Sequence, residues 1–143
     1  MIQSFITKSE LETIKAGERF SMQLSHRDVV ALFGELGAGK TCFIKGICKG
    51  LGVHEHVASP SFTIVNEYQG VGIKIFHFDF YRIKTISELQ EIGFDEYMYD
   101  DGVCLIEWAD RVKDLLPPKR FDINMKLGSS ENLREITIEE ITE

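Results

Sequence analysis

Residues 34–41, "GELGAGKT", decide how the rest of the chain is interpreted. They have the form G-x-x-x-x-G-K-[ST], in which backbone N–H groups of a glycine-rich loop surround the phosphates of a nucleotide. A purely structural turn leaves Lys40 unexplained, because a lysine at the start of a helix opposes the helix dipole unless an anion is present. The stretch therefore predicts a phosphate-binding loop.

Each residue type in the loop has a distinct expected role. Glycine at 34 and 39 permits the tight path and the close approach of backbone to phosphate. Lys40 is expected to reach the β- and γ-phosphates, and the Thr41 hydroxyl is expected to ligate Mg²⁺. The residues predicted to contact the nucleotide are Gly34, Glu35, Leu36, Gly37, Ala38, Gly39, Lys40 and Thr41.

The flanks of the loop fit this interpretation. Residues 28–33 are almost wholly apolar and predict a strand buried on both faces. Residues 40–51 predict a helix, because their apolar side chains fall on one stripe. A phosphate-binding loop needs this order of strand, loop and helix, since the helix N-terminus adds positive potential at the phosphates.

Two acidic residues follow apolar runs elsewhere in the chain. Glu107 ends the run 103–106, and Asp79 ends the run 75–78. A nucleotide-bound Mg²⁺ needs an acid at the end of a neighbouring buried strand, although either residue could also be a plain turn former. One of the two is expected to hold Mg²⁺ through water. The other is expected to orient or deprotonate the attacking water, and the residues alone leave both assignments open.

A cluster of hydroxyl residues surrounds a proline between these motifs; its members are Ser59, Ser61 and Thr63, around Pro60. Such a loop could be a switch that senses the γ-phosphate. It could also be a simple turn, and composition alone favours the turn.

Three further polar or aromatic residues indicate less than the motifs above. Trp108 could be packing or could cover the nucleotide. His77 is predicted to be a hydrogen-bonded sheet residue rather than a catalyst. Arg134, on the last predicted strand, suggests nothing by itself.

The remaining pattern predicts an α/β fold with a mixed sheet flanked by helices, in a single domain covering residues 1–143. Further predicted elements are a helix from the cap Ser9 to about residue 24, a hairpin of 62–68 with 73–79, a short helix opened by a capping box at 87–90, a strand over 102–107, a helix over 109–116, and a final antiparallel strand pair beginning near 121 and 136.

Composition and charge exclude several classes of function. The formal net charge of -7 makes the chain a poor candidate for gripping a nucleic-acid backbone, so another subunit should do so. No apolar run is long enough to span a membrane, and the first residues do not form a signal peptide. Three cysteines without a C-x-x-C pair are typical of buried free thiols in a cytoplasmic protein.

Four segments together resemble the signatures of one family. They are "GELGAGKT" (34–41), "SPSFTIVNEY" (59–68), "HFDFYR" (77–82) and "CLIEWADR" (104–111). In order and spacing they are similar to the TsaE family of small bacterial P-loop ATPases, which are needed to make threonylcarbamoyladenosine in tRNA. The resemblance covers residues 28–118, and the last three motifs are not general P-loop features.

The resemblance implies a compact mixed α/β P-loop domain that binds ATP and Mg²⁺ and hydrolyses ATP slowly. It implies action on the complex of the TsaD transferase with its paralogue TsaB, which hydrolysis would reset, while the partners hold the tRNA. Carried onto this chain, the implied catalytic and nucleotide residues are Lys40, Glu107, Asp79 at the γ-phosphate, Ser61 where the family usually has threonine, and Arg134. The implied metal residues are Thr41 and Glu107.

Two other functions remain as alternatives. A small-molecule or nucleotide kinase also uses this loop, but it usually has a lid with several arginines, and the six arginines here are scattered. A nucleotide sensor that does not hydrolyse would lack an acid that positions water, whereas this chain offers both Asp79 and Glu107.

Overall fold

A computed structural model describes residues 2–35, 37–60 and 64–142. The elements in chain order are β1 (Ile2–Thr7), α1 (Glu10–Ser21), β2 (Val29–Phe33), α2 (Lys40–Gly50), β3 (Val65–Gln69), β4 (Lys74–Asp79), α3 (Ile86–Glu91), α4 (Phe94–Tyr99), β5 (Val103–Glu107), a 3₁₀ helix (Ala109–Leu115), β6 (Arg120–Leu127) and β7 (Arg134–Ile141).

The strands of the described residues form one seven-stranded mixed sheet in the order β1-β7-β6-β2-β5-β4-β3. The central pairs β6/β2, β2/β5 and β5/β4 are parallel. The outer pairs β1/β7, β7/β6 and β4/β3 are antiparallel. The predicted α/β fold with a mixed sheet flanked by helices is confirmed. Its extent as one domain over 1–143 stays a prediction.

Each face of the sheet has its own apolar core, because successive strand residues point to opposite faces. Helices α1 and α2 cover one face, where Phe20 and Phe43 pack on strand residues such as Leu32 and Leu105. Helices α3 and α4 and the 3₁₀ helix cover the other face, where Phe94 packs against Phe78.

Helices α1 and α2 approach each other backbone to backbone. A Cβ atom on Gly46 would lie 1.9 Å from the Ile14 carbonyl oxygen, and one on Gly17 would lie 2.1 Å from the Phe43 carbonyl oxygen. Glycine is therefore required at both positions if the helices are to pack at this distance. Because α2 begins at Lys40, this contact also fixes where the phosphate-loop residues lie.

The capping residues agree with the sequence at one helix and differ at another. The Ser9 hydroxyl accepts a hydrogen bond from the Glu12 N–H at 3.1 Å, as predicted for the start of α1. The capping box predicted at 87–90 is wrong, because α3 begins at Ile86. Its cap residue is Thr85, whose side chain caps no N–H group.

Two elements were not predicted from the sequence. Strand β1 pairs antiparallel with β7 at one edge of the sheet, and its Ile2 and Ile6 are exposed. Helix α4 follows Gly93, whose φ of +74° turns the chain after α3. The predicted hairpin is confirmed by the pairing of β3 with β4. Its first residues, together with the rest of 61–63, lie outside the described residues.

The thiols are free, as predicted. Burial raises the pKa of Cys48 and of Cys104 to about 12, which keeps both thiols protonated and unreactive at neutral pH. Cys42 is only partly buried. None of the helices in the described part of the chain combines the length and apolarity that a membrane crossing requires.

Candidate nucleotide-binding site

Most of the predicted site residues lie at the ends of three neighbouring parallel strands or near the start of the helix after the first of them, whereas Arg134 lies on β7. In the register of the sheet, Glu107 at the end of β5 lies beside Asp79 on β4 and beside Leu32 on β2. The carboxyl ends of these strands therefore meet at one edge of the sheet, where α2 begins. In open α/β sheets this edge is where ligands bind.

A cavity of about 450 Å³ opens at this edge. Its volume lies within the range of small-molecule sites. The predicted site residues that line it are Gly37, Ala38, Gly39, Lys40, Thr41, Asp79, Glu107, Trp108 and Arg134. Leu36 and Ser61 were also predicted to contact the nucleotide, and both lie outside the described residues.

Gly34 and Glu35 lie beside the cavity rather than on its wall. A Cβ atom on Gly34 would lie 2.5 Å from the carbonyl oxygen of Met125 on β6, and the Gly34 φ of +154° is one that other residues rarely adopt. Glycine is thus needed here for packing against β6. This requirement differs from the close approach to phosphate that the sequence predicted.

Lys40 is buried at the base of the cavity. Its ammonium group donates to the Gly34 carbonyl, lies 3.5 Å from the Glu35 carbonyl oxygen, and sits 3.6 Å from the centre of the Trp108 ring. Burial lowers the Lys40 pKa, and nearby carboxylates, Glu107 first, oppose that shift. An anion in the cavity would therefore find a cation that has already lost much of its water.

Thr41 and Glu107 form the pair of oxygen ligands expected for a divalent cation. The Thr41 hydroxyl lies 3.1 Å from Glu107 Oε1, and Glu107 is 3% exposed. Hydroxyl and carboxylate oxygens suit Mg²⁺, which is usually held by few protein ligands together with phosphate oxygens and water. The described residues contain no cluster of three or more His, Cys, Asp or Glu that could hold a metal ion alone.

The second oxygen of Glu107 has a partner that was not predicted. His77 Nε2 lies 2.6 Å from Glu107 Oε2, and His77 is fully buried. His77 is hydrogen-bonded within the sheet, as expected, but its contact with the predicted metal-side acid was missed. The available signal was the two-residue period of β4, which places His77 on the same face as Asp79.

Asp79 is held by two donors. Its Oδ2 accepts from the Ser59 hydroxyl, and its Oδ1 accepts from the Tyr81 N–H at 3.0 Å. Ser59, one of the predicted hydroxyl residues, therefore contacts Asp79, one of the predicted acids. This contact connects residues 59–60 with the end of β4.

Trp108 adopts a backbone conformation that a bulky residue seldom takes. Its φ is +59°, directly after the buried Glu107. Non-glycine residues in this left-handed region cluster at functional sites. The turn brings the indole over Lys40, and the Tyr81 ring packs against the indole at a centroid distance of 4.9 Å and a tilt of 47°. Trp108 thus lines the cavity beside the lysine and does not face the apolar core alone.

Two arginines that are far apart in the sequence, Arg82 and Arg134, both line the cavity. Arg134 donates from Nη1 to the Glu131 and Leu133 carbonyl oxygens at 2.7 and 2.9 Å, so the backbone orients its guanidinium group. Arg82 ends the segment "HFDFYR" but was not predicted as a site residue. Its distance along the chain from Arg134 made both look scattered.

A buried strand, a glycine-rich loop and a helix opening with Lys40 and Thr41, next to two strand-end acids, define the class of P-loop α/β proteins. The chain belongs to the family described as threonylcarbamoyl adenosine biosynthesis protein TsaE, whose sequence model matches residues 7–136. The resemblance noted from the four segments is confirmed.

Curated relatives and a solved structure agree with this membership. The chain is 38% identical over 133 residues to a tRNA threonylcarbamoyladenosine biosynthesis protein TsaE of Treponema pallidum, covering 93% of this chain and 97% of that protein. It is 46% identical over 110 residues to TsaE of Bacillus subtilis, covering 77% and 68%. The crystal structure of Bacillus subtilis YdiB superposes with a TM-score of 0.85 at 36% identity, covering 99% of this chain and 87% of that one.

Proposed function

We propose that this protein binds ATP with Mg²⁺, hydrolyses ATP slowly, and acts on the TsaD–TsaB transferase complex in the threonylcarbamoyladenosine modification of tRNA. Membership of the TsaE family supports the pathway. The geometry of the cavity supports the chemistry. Because the proposed partners modify tRNA, the proposal includes a cytoplasmic location.

The observation that carries the proposal is the pairing of Thr41 with Glu107 at 3.1 Å beside the ammonium group of Lys40. A structural turn has no need for a lysine, a threonine and a buried acid at one strand edge. A nucleoside triphosphate needs all three, because its phosphates bring negative charge and a divalent cation.

In this proposal Lys40 and the N–H groups of the loop bind the β- and γ-phosphates, while Thr41 and Glu107 hold Mg²⁺, the latter through water. When bound, Mg²⁺ would neutralise charge on the phosphate oxygens. Trp108 and Arg134 border the nucleotide, and Ser61 is assigned to the γ-phosphate by its place in the motif.

The surroundings of the two acids support different roles for them. Glu107 is almost fully buried and lies between Thr41 and His77, which suits an acid on the metal side. Asp79 is half-buried and is held by the Ser59 hydroxyl and by a backbone N–H, which suits a base that orients water near the γ-phosphate.

One assay separates this proposal from a kinase and from a sensor. Phosphate release from ATP is followed for the protein alone and with TsaB–TsaD, in parallel with transfer from labelled ATP to a panel of small-molecule and nucleotide acceptors. We expect slow release alone and faster release with the partners. Transfer to an acceptor would favour a kinase, and tight binding of ATP without release under any condition would favour a sensor.

The charge of the protein supports an indirect contact with tRNA. With a net charge of -7, the chain would be repelled by a phosphate backbone. Tight binding of tRNA by this protein in the absence of TsaB–TsaD would contradict this part of the proposal.

A further inference from the structure

A line of buried polar groups leads away from Glu107 on the side opposite Thr41. His77 Nε2 contacts Glu107 Oε2 at 2.6 Å, and His77 Nδ1 lies 3.4 Å from the Tyr68 hydroxyl. His77 is fully buried and Tyr68 is 5% exposed, so water does not compete with these contacts. Buried polar groups of this kind are costly unless they are paired, and such networks fix one arrangement of their members.

The line of polar groups continues to Ala58, the residue before the cluster of hydroxyl residues around Pro60. The Tyr68 hydroxyl lies 3.0 Å from the Ala58 carbonyl oxygen and 3.4 Å from the Ala58 N–H nitrogen. Asn66 reinforces this contact by donating to the Ala58 carbonyl at 3.2 Å. The next residue, Ser59, donates to Asp79. Hydrogen bonds and the peptide bond between Ala58 and Ser59 therefore connect Thr41 to Asp79.

The donors and acceptors available also allow Tyr68 to connect His77 with Ala58. In the neutral tautomer with hydrogen on Nε2, His77 donates to Glu107 and leaves Nδ1 as an acceptor. The Tyr68 hydroxyl has one hydrogen, which can go to Nδ1 or to the Ala58 carbonyl oxygen. When it donates to Nδ1, its oxygen still accepts from the Ala58 N–H at 3.4 Å and from Asn66 Nδ2 at 3.3 Å, so the one hydroxyl contacts both sides. Burial raises the pKa of Tyr68, which keeps this hydrogen in place at neutral pH.

We propose that His77 and Tyr68 are positioning residues that hold the Glu107 carboxylate and the segment 58–60 in one fixed relation. His77 orients Glu107 toward Thr41, and Tyr68 fixes both the imidazole and the backbone before Ser59. Glu107 would then be oriented to hold the cation, and Asp79 would be held in place by Ser59. This inference rests on the proposed function, because it deepens the role of the same site.

The alternative is that the two residues serve stability alone. A residue that only stabilises the core would change the free energy of unfolding and leave the Mg²⁺ dependence of nucleotide binding unchanged. A positioning residue changes the Mg²⁺ dependence, since partners that orient a metal ligand commonly alter metal affinity or activity by about 10–100-fold.

Tyr68→Phe is the first test, because it removes one hydroxyl and keeps the ring that packs in the core. A fluorescent ATP analogue is titrated at a series of Mg²⁺ concentrations and also in EDTA. We expect the Mg²⁺ concentration for half-maximal binding to rise about two- to tenfold, the effect of losing one neutral hydrogen bond. Affinity in EDTA should stay the same, because the phosphate loop is unchanged.

His77 is tested with two substitutions of different hydrogen-bonding capacity. His77→Leu leaves Glu107 without this donor, and we expect the half-maximal Mg²⁺ concentration to rise by about tenfold or more. His77→Gln keeps an N–H group that can donate to the carboxylate, and it should restore most of the wild-type Mg²⁺ dependence. If His77→Leu does not fold, the comparison of Tyr68→Phe with His77→Gln still decides the question.

The matched control is Tyr97→Phe. Tyr97 packs on Phe76 and Phe78 of the same strand β4, but on the opposite face of the sheet from Glu107. It should bind the analogue like the wild type at every Mg²⁺ concentration. Thermal unfolding of all variants shows which of them have lost stability.

A measurement on the protein without nucleotide tests the contact of Tyr68 with Ala58, at the end of the line away from Glu107. Hydrogen exchange at the Ala58 and Ser59 amides should be faster in Tyr68→Phe than in the wild type and in Tyr97→Phe. Wild-type Mg²⁺ dependence in both Tyr68→Phe and His77→Leu would overturn the positioning roles while the proposed function stands. Absence of Mg²⁺-dependent binding in the wild type would overturn the proposed function, and the positioning roles with it.

Discussion

Lys40 is the residue whose surroundings would change most when a nucleotide enters. Its ammonium group donates to the Gly34 carbonyl and lies over the Trp108 ring, and burial lowers its pKa. Backbone carbonyls and an aromatic face are weaker partners for a cation than a phosphate is. The contacts that Lys40 makes in the free protein are therefore ones that a triphosphate can replace.

Lys40→Ala should remove most of the ATP affinity and leave the fold intact. The loss should be about 1.5–3 kcal/mol, the usual size of a hydrogen bond to a charged group. Isothermal titration with ATP and Mg²⁺ measures it, and thermal unfolding checks the fold. Lys45→Ala, on the same helix but away from the cavity, serves as the control. Equal ATP affinity in wild type and Lys40→Ala would contradict the phosphate-loop interpretation.

Asp79→Ala and Glu107→Ala should both reduce ATP hydrolysis, but in different ways. Loss of Glu107 should weaken the binding of Mg-ATP and the dependence on Mg²⁺, because it contacts Thr41. Loss of Asp79 should leave binding unchanged and lower turnover. Steady-state kinetics with TsaB–TsaD over a range of Mg²⁺ concentrations separates the two. Asp114→Ala, at an exposed acid, is the control. Normal turnover of Asp79→Ala would show that its catalytic assignment is wrong.

The sequence predicted residues of the site that belong to a local motif and missed those that depend on strand order. Lys40 and Thr41 follow from the spacing of the loop, and Glu107 follows from an apolar run that ends in an acid. The contact of His77 with Glu107 requires β4 and β5 to be neighbours in the sheet. That order is set by long-range pairing, which no local pattern contains.

The same limit applies at the level of elements. Elements with a clear apolar pattern were predicted to within a few residues, such as β2 from its continuous apolar run and α2 from its apolar stripe. Strand β1 was missed because an edge strand does not need alternating apolar residues, and Ile2 and Ile6 are exposed. Helix α4 was missed because its six residues are too few to show a helical period, and its start after Gly93 has no side-chain cap.

The packing of α1 on α2 is the element-level contact that positions the phosphate loop. Gly46→Ala would place a methyl group only 1.9 Å from the Ile14 carbonyl oxygen. The helices must separate, and overpacking of this kind typically costs about 1–3 kcal/mol. Urea denaturation should show a lower free energy of unfolding, although alanine favours the helix intrinsically.

Lys15→Ala on α1 is the control for this substitution, because its side chain is exposed and its helix propensity is similar to that of alanine. We also expect Gly46→Ala to weaken ATP binding, since α2 begins with Lys40 and would shift with the helix. Unchanged stability in Gly46→Ala would mean that the close approach of the helices does not persist in solution.

At the scale of the whole molecule, the proposed hydrolysis of ATP has an effect only if another protein responds to it. The chain is acidic, so its cationic groups at the cavity stand out against the net charge of -7. If the 143-residue protein hydrolyses ATP and does not itself hold tRNA, as proposed, it needs a partner that distinguishes its nucleotide states. The Ser59 hydroxyl contacts Asp79, the acid proposed to lie near the γ-phosphate, so this contact could connect the nucleotide with residues 59–63.

We predict that the nucleotide state governs binding to TsaD–TsaB. ATP and Mg²⁺ would order the loop of residues 59–63, and hydrolysis would release it. Phe62 would then be available to the partner as an apolar anchor in one nucleotide state and hidden in the other. Affinity for the partner complex should then differ between the ATP and ADP states by about 1–3 kcal/mol, the usual size of a coupling free energy. Ser59→Ala and Ser61→Ala should reduce this difference more than they reduce ATP affinity.

The measurement is a titration of this protein onto the TsaD–TsaB complex with a non-hydrolysable ATP analogue, with ADP, and without nucleotide. Lys45→Ala again serves as the control, because it lies on α2 away from the cavity and should preserve the full difference. The coupling is reciprocal, so the partner complex must tighten binding of the ATP analogue by the same factor that the analogue tightens binding of the complex. Identical affinities in all three states would leave a P-loop ATPase and rule out the switch. A difference that persists in Ser59→Ala would place the sensing group elsewhere at the cavity.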